Sequence, residues 1–173
     1  MDAKKGIKIF LIDDDQLFLE ALKFFLSEES PNFSASIFTF NTGEACMEQM
    51  HLQPDLIILD YYLNTSVKHA MDGIEVLKKI KSTAPETRVI MLSSQDSISI
   101  ASEMLEHGAL DYVSKNESAF VRIKNIVANL SKTDNIIAKI NKDASNYKKV
   151  TILVVVVIVV LLILSRLYSY FSP

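Results

Sequence analysis

The chain has 173 residues, 18 Lys and Arg against 21 Asp and Glu, a net charge of −3, and 49% apolar residues. That length provides for one ordinary domain with a proper core plus appended segments, and leaves no room for a second globular domain. The lone Cys46 excludes a disulfide within the chain and reads as a small core residue in a reducing compartment.

In chain order, an apolar run Ile7 to Ile12 predicts a first strand that ends on Asp13, Asp14 and Asp15. A helix follows over about Asp15 to Glu29, with Asp15 as its N-cap. A second strand over Ala35 to Phe40 leads to a helix over about Gly43 to Met50. The run Leu56 to Leu59 ends on Asp60. Next come a helix from about Gly73 to Thr83, a strand Val89 to Leu92 ending on Ser93, and a helix over about Ser97 to His107. A fifth strand at Tyr112 and Val113 precedes Lys115, and a last helix starts near Ser118. Short runs rich in Ile, Leu and Val suit strands buried on both faces of a parallel sheet. Five alternating units predict an α/β, doubly wound, five-stranded parallel sheet. His51, His69 and His107 fit no metal-ligand spacing and are expected at the surface.

The residues that close these strands share a chemistry. Parallel strands place their carboxyl ends on one edge, where open α/β sheets bind ligands. Carboxylates gathered there repel, and either keep protons or hold a cation. An all-oxygen set of a few carboxylates, a carbonyl and waters suits Mg²⁺. Asp60 is then the nucleophile, since a carboxylate can attack a phosphoryl group and carry it as an acyl phosphate. Asp13 and Asp14 hold the metal, while Lys115 and the Ser93 hydroxyl stabilise charge on the phosphoryl oxygens.

These residues, in this order, resemble the receiver domain of bacterial response regulators over roughly Ile7 to Leu130. The resemblance implies the flavodoxin-like strand order 2-1-3-4-5. It implies metal binding at Asp13, Asp14 and Asp60 with the backbone carbonyl of Tyr62, phosphorylation of Asp60 with Lys115 and Ser93 in catalysis, and a switch formed by Ser93 and Tyr112. Asp72 and Gly73 match the Asp-Gly that opens the third helix. The chain departs from the family in three places. Asn64 and Asn116 stand where prolines are usual, and Tyr61 to Met71 is several residues longer than the pattern, with Lys68 and His69 inside the insertion. Tyr62 stands where family members tune access of water to the acyl phosphate.

From Val150 to Leu164 only Thr151 is polar. At 1.5 Å per residue that helix would span about 22 Å; extension to Phe171 brings it to the roughly 30 Å of a bilayer core. Arg166 can snorkel, and Tyr168, Tyr170 and Phe171 suit an interfacial belt. The expected organisation is a receiver domain over 1–130, a basic linker over 131–149, one transmembrane helix over 150–171 and a tail at 172–173. Met1 to Lys115 carries 10 Lys and Arg against 18 Asp and Glu, a net of −8, whereas Asn116 to Lys149 carries 7 against 3, a net of +4. Lys139, Lys142, Lys148 and Lys149 before the run and Arg166 alone after it place the receiver in the cytoplasm, at a bacterial inner membrane. The Lys-rich linker can rest on anionic lipid. In the linker, Ile123, Leu130, Ile137 and Ala144, with Ile126, Thr133, Ile140 and Tyr147, fall seven apart, a heptad-like seam that leaves a homodimer open.

The expected function is that of a membrane-anchored response regulator. It would take a phosphoryl group from a histidine kinase or phosphotransfer protein and signal by contact with a downstream protein, without nucleic acid. It is not a dedicated enzyme beyond its own phosphorylation and dephosphorylation. A phosphorylation-independent binding module and a phosphate sink for a kinase stay open. A hydrolase with a covalent aspartyl intermediate is disfavoured, because Tyr62 stands where that class has its second acid.

Overall fold

The computed structural model describes residues 6–28, 34–63, 70–95 and 97–171, with side chains described as far as Ile158. Five strands, β1 (Ile7–Ile12), β2 (Ala35–Phe40), β3 (Leu56–Asp60), β4 (Arg88–Ser93) and β5 (Asp111–Ser114), form one parallel sheet in the order β2-β1-β3-β4-β5. Between them run α1 (Gln16–Ser27), α2 (Gly43–Glu48) with a short 3-10 turn at Met50–Leu52, α3 (Gly73–Thr83) and α4 (Ile98–Glu106). The last helix, α5, extends from Ala119 to Phe171. The doubly wound sheet and its expected strand order are therefore present.

Alternation along each strand divides the core between two faces. Ile7, Ile9 and Leu11 of β1, Leu56 and Ile58 of β3, Ile90 and Leu92 of β4 and Val113 of β5 meet Leu19, Leu22 and Leu26 of α1 and Ala119, Ile123 and Val127 of α5. The intervening residues Phe10, Ile12, Ile57, Leu59, Val89 and Met91 meet Cys46, Val76, Leu77, Ile80 and Met104 on the other face. Both faces of the central strands are covered, which is why those runs read as continuously apolar rather than alternating. Cys46 is fully buried and free, and burial pushes its thiol up to about 12.

The helices start where local chemistry satisfies their first N–H groups. The Asp15 side chain accepts from the N–H groups of Leu17 and Phe18, as its expected role requires. Asp72 and Glu75 form a reciprocal capping box on α3. Two glycines permit close packing. A Cβ on Gly73 would lie 2.2 Å from the Asp60 carbonyl oxygen, and one on Gly43 would lie 2.1 Å from Val76 Cγ2.

The chain divides into two compact units, Met1–Lys132 and Thr133–Pro173. In the first, α5 buries Ala119, Ile123, Val127 and Ser131, a stripe with four-residue spacing. Ile123 of the seven-residue series belongs to this stripe, and Ile126 and Leu130 pack against it, half-buried, so the first part of that series is the core face of α5. In the second unit, Ile136, Ile137, Ile140 and Tyr147 are exposed. Among the described residues no helix is long and apolar enough to cross a membrane, so the transmembrane helix expected over 150–171 is not supported by the structure. The backbone there is helical, but the side chains of 159–171, which complete the apolar run, lie outside the described residues. Of the histidines, His51 is exposed, His107 is half-buried, and His69 lies outside the described residues.

Candidate functional site

Three strand ends on one edge of the sheet bring Asp13, Asp60 and Lys115 together. Each continues the parity of its strand, after Leu11, Ile58 and Val113, and so belongs to the face covered by α1 and α5. Asp13 is 1% and Asp60 3% exposed. The Lys115 Nζ lies 2.6 Å from Asp13 Oδ2 and 2.9 Å from Asp60 Oδ1. Those two oxygens are buried, and the Lys115 ammonium is what offsets their charge. The other side of the Asp13 carboxylate accepts the Asp15 N–H at 3.0 Å, and the Asp60 carboxylate accepts the N–H of Tyr62.

Burial pushes the pKa of both acids up. At Asp13 the bond to Lys115 opposes that rise and the charge of Asp60 reinforces it; at Asp60 Lys115 again opposes and the charge of Asp14 reinforces. Burial disfavours the Lys115 ammonium, but its contacts with Asp13 and Asp60 outweigh burial and leave its pKa raised. Among the described residues, the two buried acids thus have one cation at contact distance. Asp14 is exposed, and one carboxylate oxygen from each of Asp13, Asp14 and Asp60 lies within 4.8 Å of the others. Hard oxygens from three acids and an excess of negative charge over the Lys115 ammonium fit Mg²⁺.

Ser93 closes β4 on the opposite parity, after Met91, and is fully buried. Its hydroxyl accepts the Gln95 N–H at 3.1 Å. The Tyr112 hydroxyl donates to the Gln95 carbonyl oxygen, so Gln95 links the two residues read as a switch. The β4 and β5 ends are tied by the Lys115 N–H, which donates to the Ser93 carbonyl at 2.7 Å.

Residues 9–128 match the family model of the response regulator receiver domain. The chain belongs to that family. Among receiver-containing relatives, it is 30% identical over 122 residues to the transcriptional regulatory protein LnrK of Bacillus subtilis, covering 70% of this chain and 52% of that one. It is 28% identical over 114 residues to the response regulator protein VraR of Staphylococcus saprophyticus, covering 65% and 51%. The chain spans between 23% and 56% of the length of the curated relatives it matches. Among solved receivers, the response regulator DrrB of Thermotoga maritima aligns with a TM-score of 0.62 at 26% identity, over 75% of this chain and 54% of that one. The isolated DrrB receiver activated with BeF3 aligns with a TM-score of 0.57 at 29% identity, over 69% and 96%.

In this receiver every site residue read from the sequence lies at or just beyond the carboxyl end of its strand, except Tyr112, the second residue of β5. Asp13, Asp14, Asp60 and Lys115 gather, while Ser93 and Tyr112 meet through Gln95. Tyr62 is 42% exposed, and its ring stacks edge-on against Tyr61 with centroids 4.6 Å apart. The expected insertion is described only at its ends: Leu63 is buried, and the Met71 N–H donates to Glu44 Oε1 at 2.7 Å. Lys68 and His69 lie outside the described residues. Asn116, which replaces the usual proline, forms the turn ahead of α5: its Oδ1 accepts from both the N–H and the hydroxyl of Ser118, at 3.0 and 2.8 Å. Sequence reasoning missed Gln95, Glu44 and Phe18, whose contacts run between elements and leave no periodic trace.

Proposed function

We propose that this receiver accepts a phosphoryl group on Asp60 from a histidine kinase or a histidine phosphotransfer protein. The observation that carries the reading is a buried Asp60 whose Oδ1 faces Lys115 at 2.9 Å, beside a second buried acid. In the transfer, an Asp60 carboxylate oxygen forms the new bond to phosphorus as the bond from phosphorus to the donor's imidazole nitrogen breaks, and the imidazole leaves with that electron pair. Lys115 stays protonated and follows the charge from the carboxylates to the phosphoryl oxygens. Asp13 and Asp14, with Asp60 and the carbonyl of Tyr62, would hold Mg²⁺, which when bound supplies positive charge to the transferring group. The Ser93 hydroxyl is available to donate to a phosphoryl oxygen. The Ser93 oxygen already accepts the Gln95 N–H, so a turn of Ser93 toward the phosphoryl group would move Gln95 and so reach Tyr112. The chain is not a dedicated enzyme on this reading; it would catalyse only its own phosphorylation and dephosphorylation.

Output is proposed to be contact with a downstream protein, at the surface that Ser93 and Tyr112 would alter. The reading includes a membrane tether, the receiver facing the cytoplasm. It is supported by the apolar sequence after Val150 and by the exposure of Val150 and Ile152 to Ile158, each between 49% and 65%. A tether would raise the local concentration of the receiver around a membrane kinase without any new contact. The test is incubation of the full chain with a small phosphodonor and Mg²⁺. A mass gain of one phosphoryl group that is lost with a chelator and in Asp60→Asn is expected. A receiver that takes no label, beside a control receiver that does, would favour the phosphorylation-independent binding module.

A further inference from the structure

Lys115 has a third neighbour besides its two carboxylates. Its Nζ lies 4.7 Å from the centroid of the Phe18 ring. Phe18 sits in the first turn of α1, where the Asp15 side chain accepts its N–H at 3.1 Å. The ring is held from behind by Phe120 of α5, edge-on with centroids 5.3 Å apart and planes at 77°. Phe120 in turn meets Phe25 at 5.7 Å. The far end is closed by Lys124, which stands 4.7 Å over Phe25 and donates to its carbonyl at 3.2 Å.

A lysine carries a compact charge on a flexible four-carbon stem, so carboxylates alone fix it poorly. One of those carboxylates also changes in the reaction: an Asp60 oxygen becomes part of the acyl phosphate. The ring face does not change. It offers negative potential without a proton or a competing hydrogen bond, and it is anchored to α1 by a capped helix end and to α5 by an edge-on pair.

We propose that Phe18 is a positioning residue for phosphoryl transfer, holding the Lys115 ammonium over the site while its partner Asp60 is phosphorylated. The proposal rests on the reading of Asp60 as the phosphoryl acceptor.

The full chain is labelled by a small phosphodonor with Mg²⁺, comparing wild type with Phe18→Leu, Phe18→Tyr and a series with progressively fluorinated phenylalanine at position 18. The maximal labelling rate should fall about fivefold in Phe18→Leu and return with Phe18→Tyr. It should also fall stepwise with fluorination, which drains the ring face while hardly changing its volume; a purely structural ring would show no such trend. A Phe18→Leu variant as fast as wild type, or rates independent of fluorination, would overturn the proposal. Wild type that takes no label contradicts the acceptor reading instead. The proposal is then decided by proton NMR of the Lys115 ε-methylene, shifted upfield by the ring in wild type and Phe18→Tyr and released in Phe18→Leu. An unshifted methylene in wild type overturns it.

Discussion

Asp13 and Asp60 show what the site costs the fold. Burial holds both carboxyls above the ordinary range, so between the ordinary pKa and the raised one the folded state binds more protons than the unfolded chain. Stability of the metal-free protein therefore falls as the pH climbs through that window and levels off above it. Asp13→Asn removes one buried charge while leaving Lys115 paired with Asp60. It should raise metal-free stability at neutral pH by about 1 kcal/mol and flatten the fall with pH, read from urea midpoints between acidic and neutral pH. The order should reverse in saturating Mg²⁺, because the variant has lost a ligand and gains less from binding. A variant less stable than wild type without metal would show that the Asp13 to Lys115 pair outweighs its burial.

At the scale of elements, Gly73 joins the acceptor strand to α3. The helix starts so close to the end of β3 that any Cβ would strike the carbonyls of Asp60 and Tyr61, at 2.2 and 2.7 Å. Both are backbone atoms and cannot swing away as a side chain can. Gly73→Ala should cost about 3 kcal/mol of stability and shift the Asp60 backbone, lowering the urea midpoint and the labelling rate together. A neutral substitution would mean that α3 can slide without disturbing the acceptor.

Much of this architecture was legible in the sequence. Runs such as Ile7 to Ile12 and Leu56 to Leu59 are long enough and apolar enough on both parities to declare buried parallel strands, and a charged residue at the end of each marks the functional edge. The Asp72 cap was legible as the Asp-Gly pair, although the need for glycine is visible only as an approach to Asp60. The buried stripe of α5 was harder to read. Ile123, Ile126 and Leu130 were legible as its core face and do pack there, but Ala119, Val127 and Ser131, which complete the stripe, were not. Gln95 and Phe18 were not legible, because a backbone relay to Tyr112 and a ring under Lys115 depend on where separate elements meet.

For the whole molecule, the outstanding feature is the apolar stretch after Val150. Val150 and Ile152 to Ile158 are exposed around all sides of a helix, a pattern that lipid can cover and water does not favour. The proposed tether predicts that the full chain sediments with membranes and resists alkaline extraction, whereas a chain ending at Lys149 is released. Equal release of both would contradict the tether while leaving the receiver reading intact.

The phosphoryl group is proposed to reside on Asp60. The most direct measurement is borohydride reduction of the labelled full chain followed by peptide mass spectrometry. An acyl phosphate at Asp60 predicts homoserine at position 60, dependent on Mg²⁺ and absent without the phosphodonor. Reduction at another acid, or none in a chain that has gained the phosphoryl mass, would contradict it.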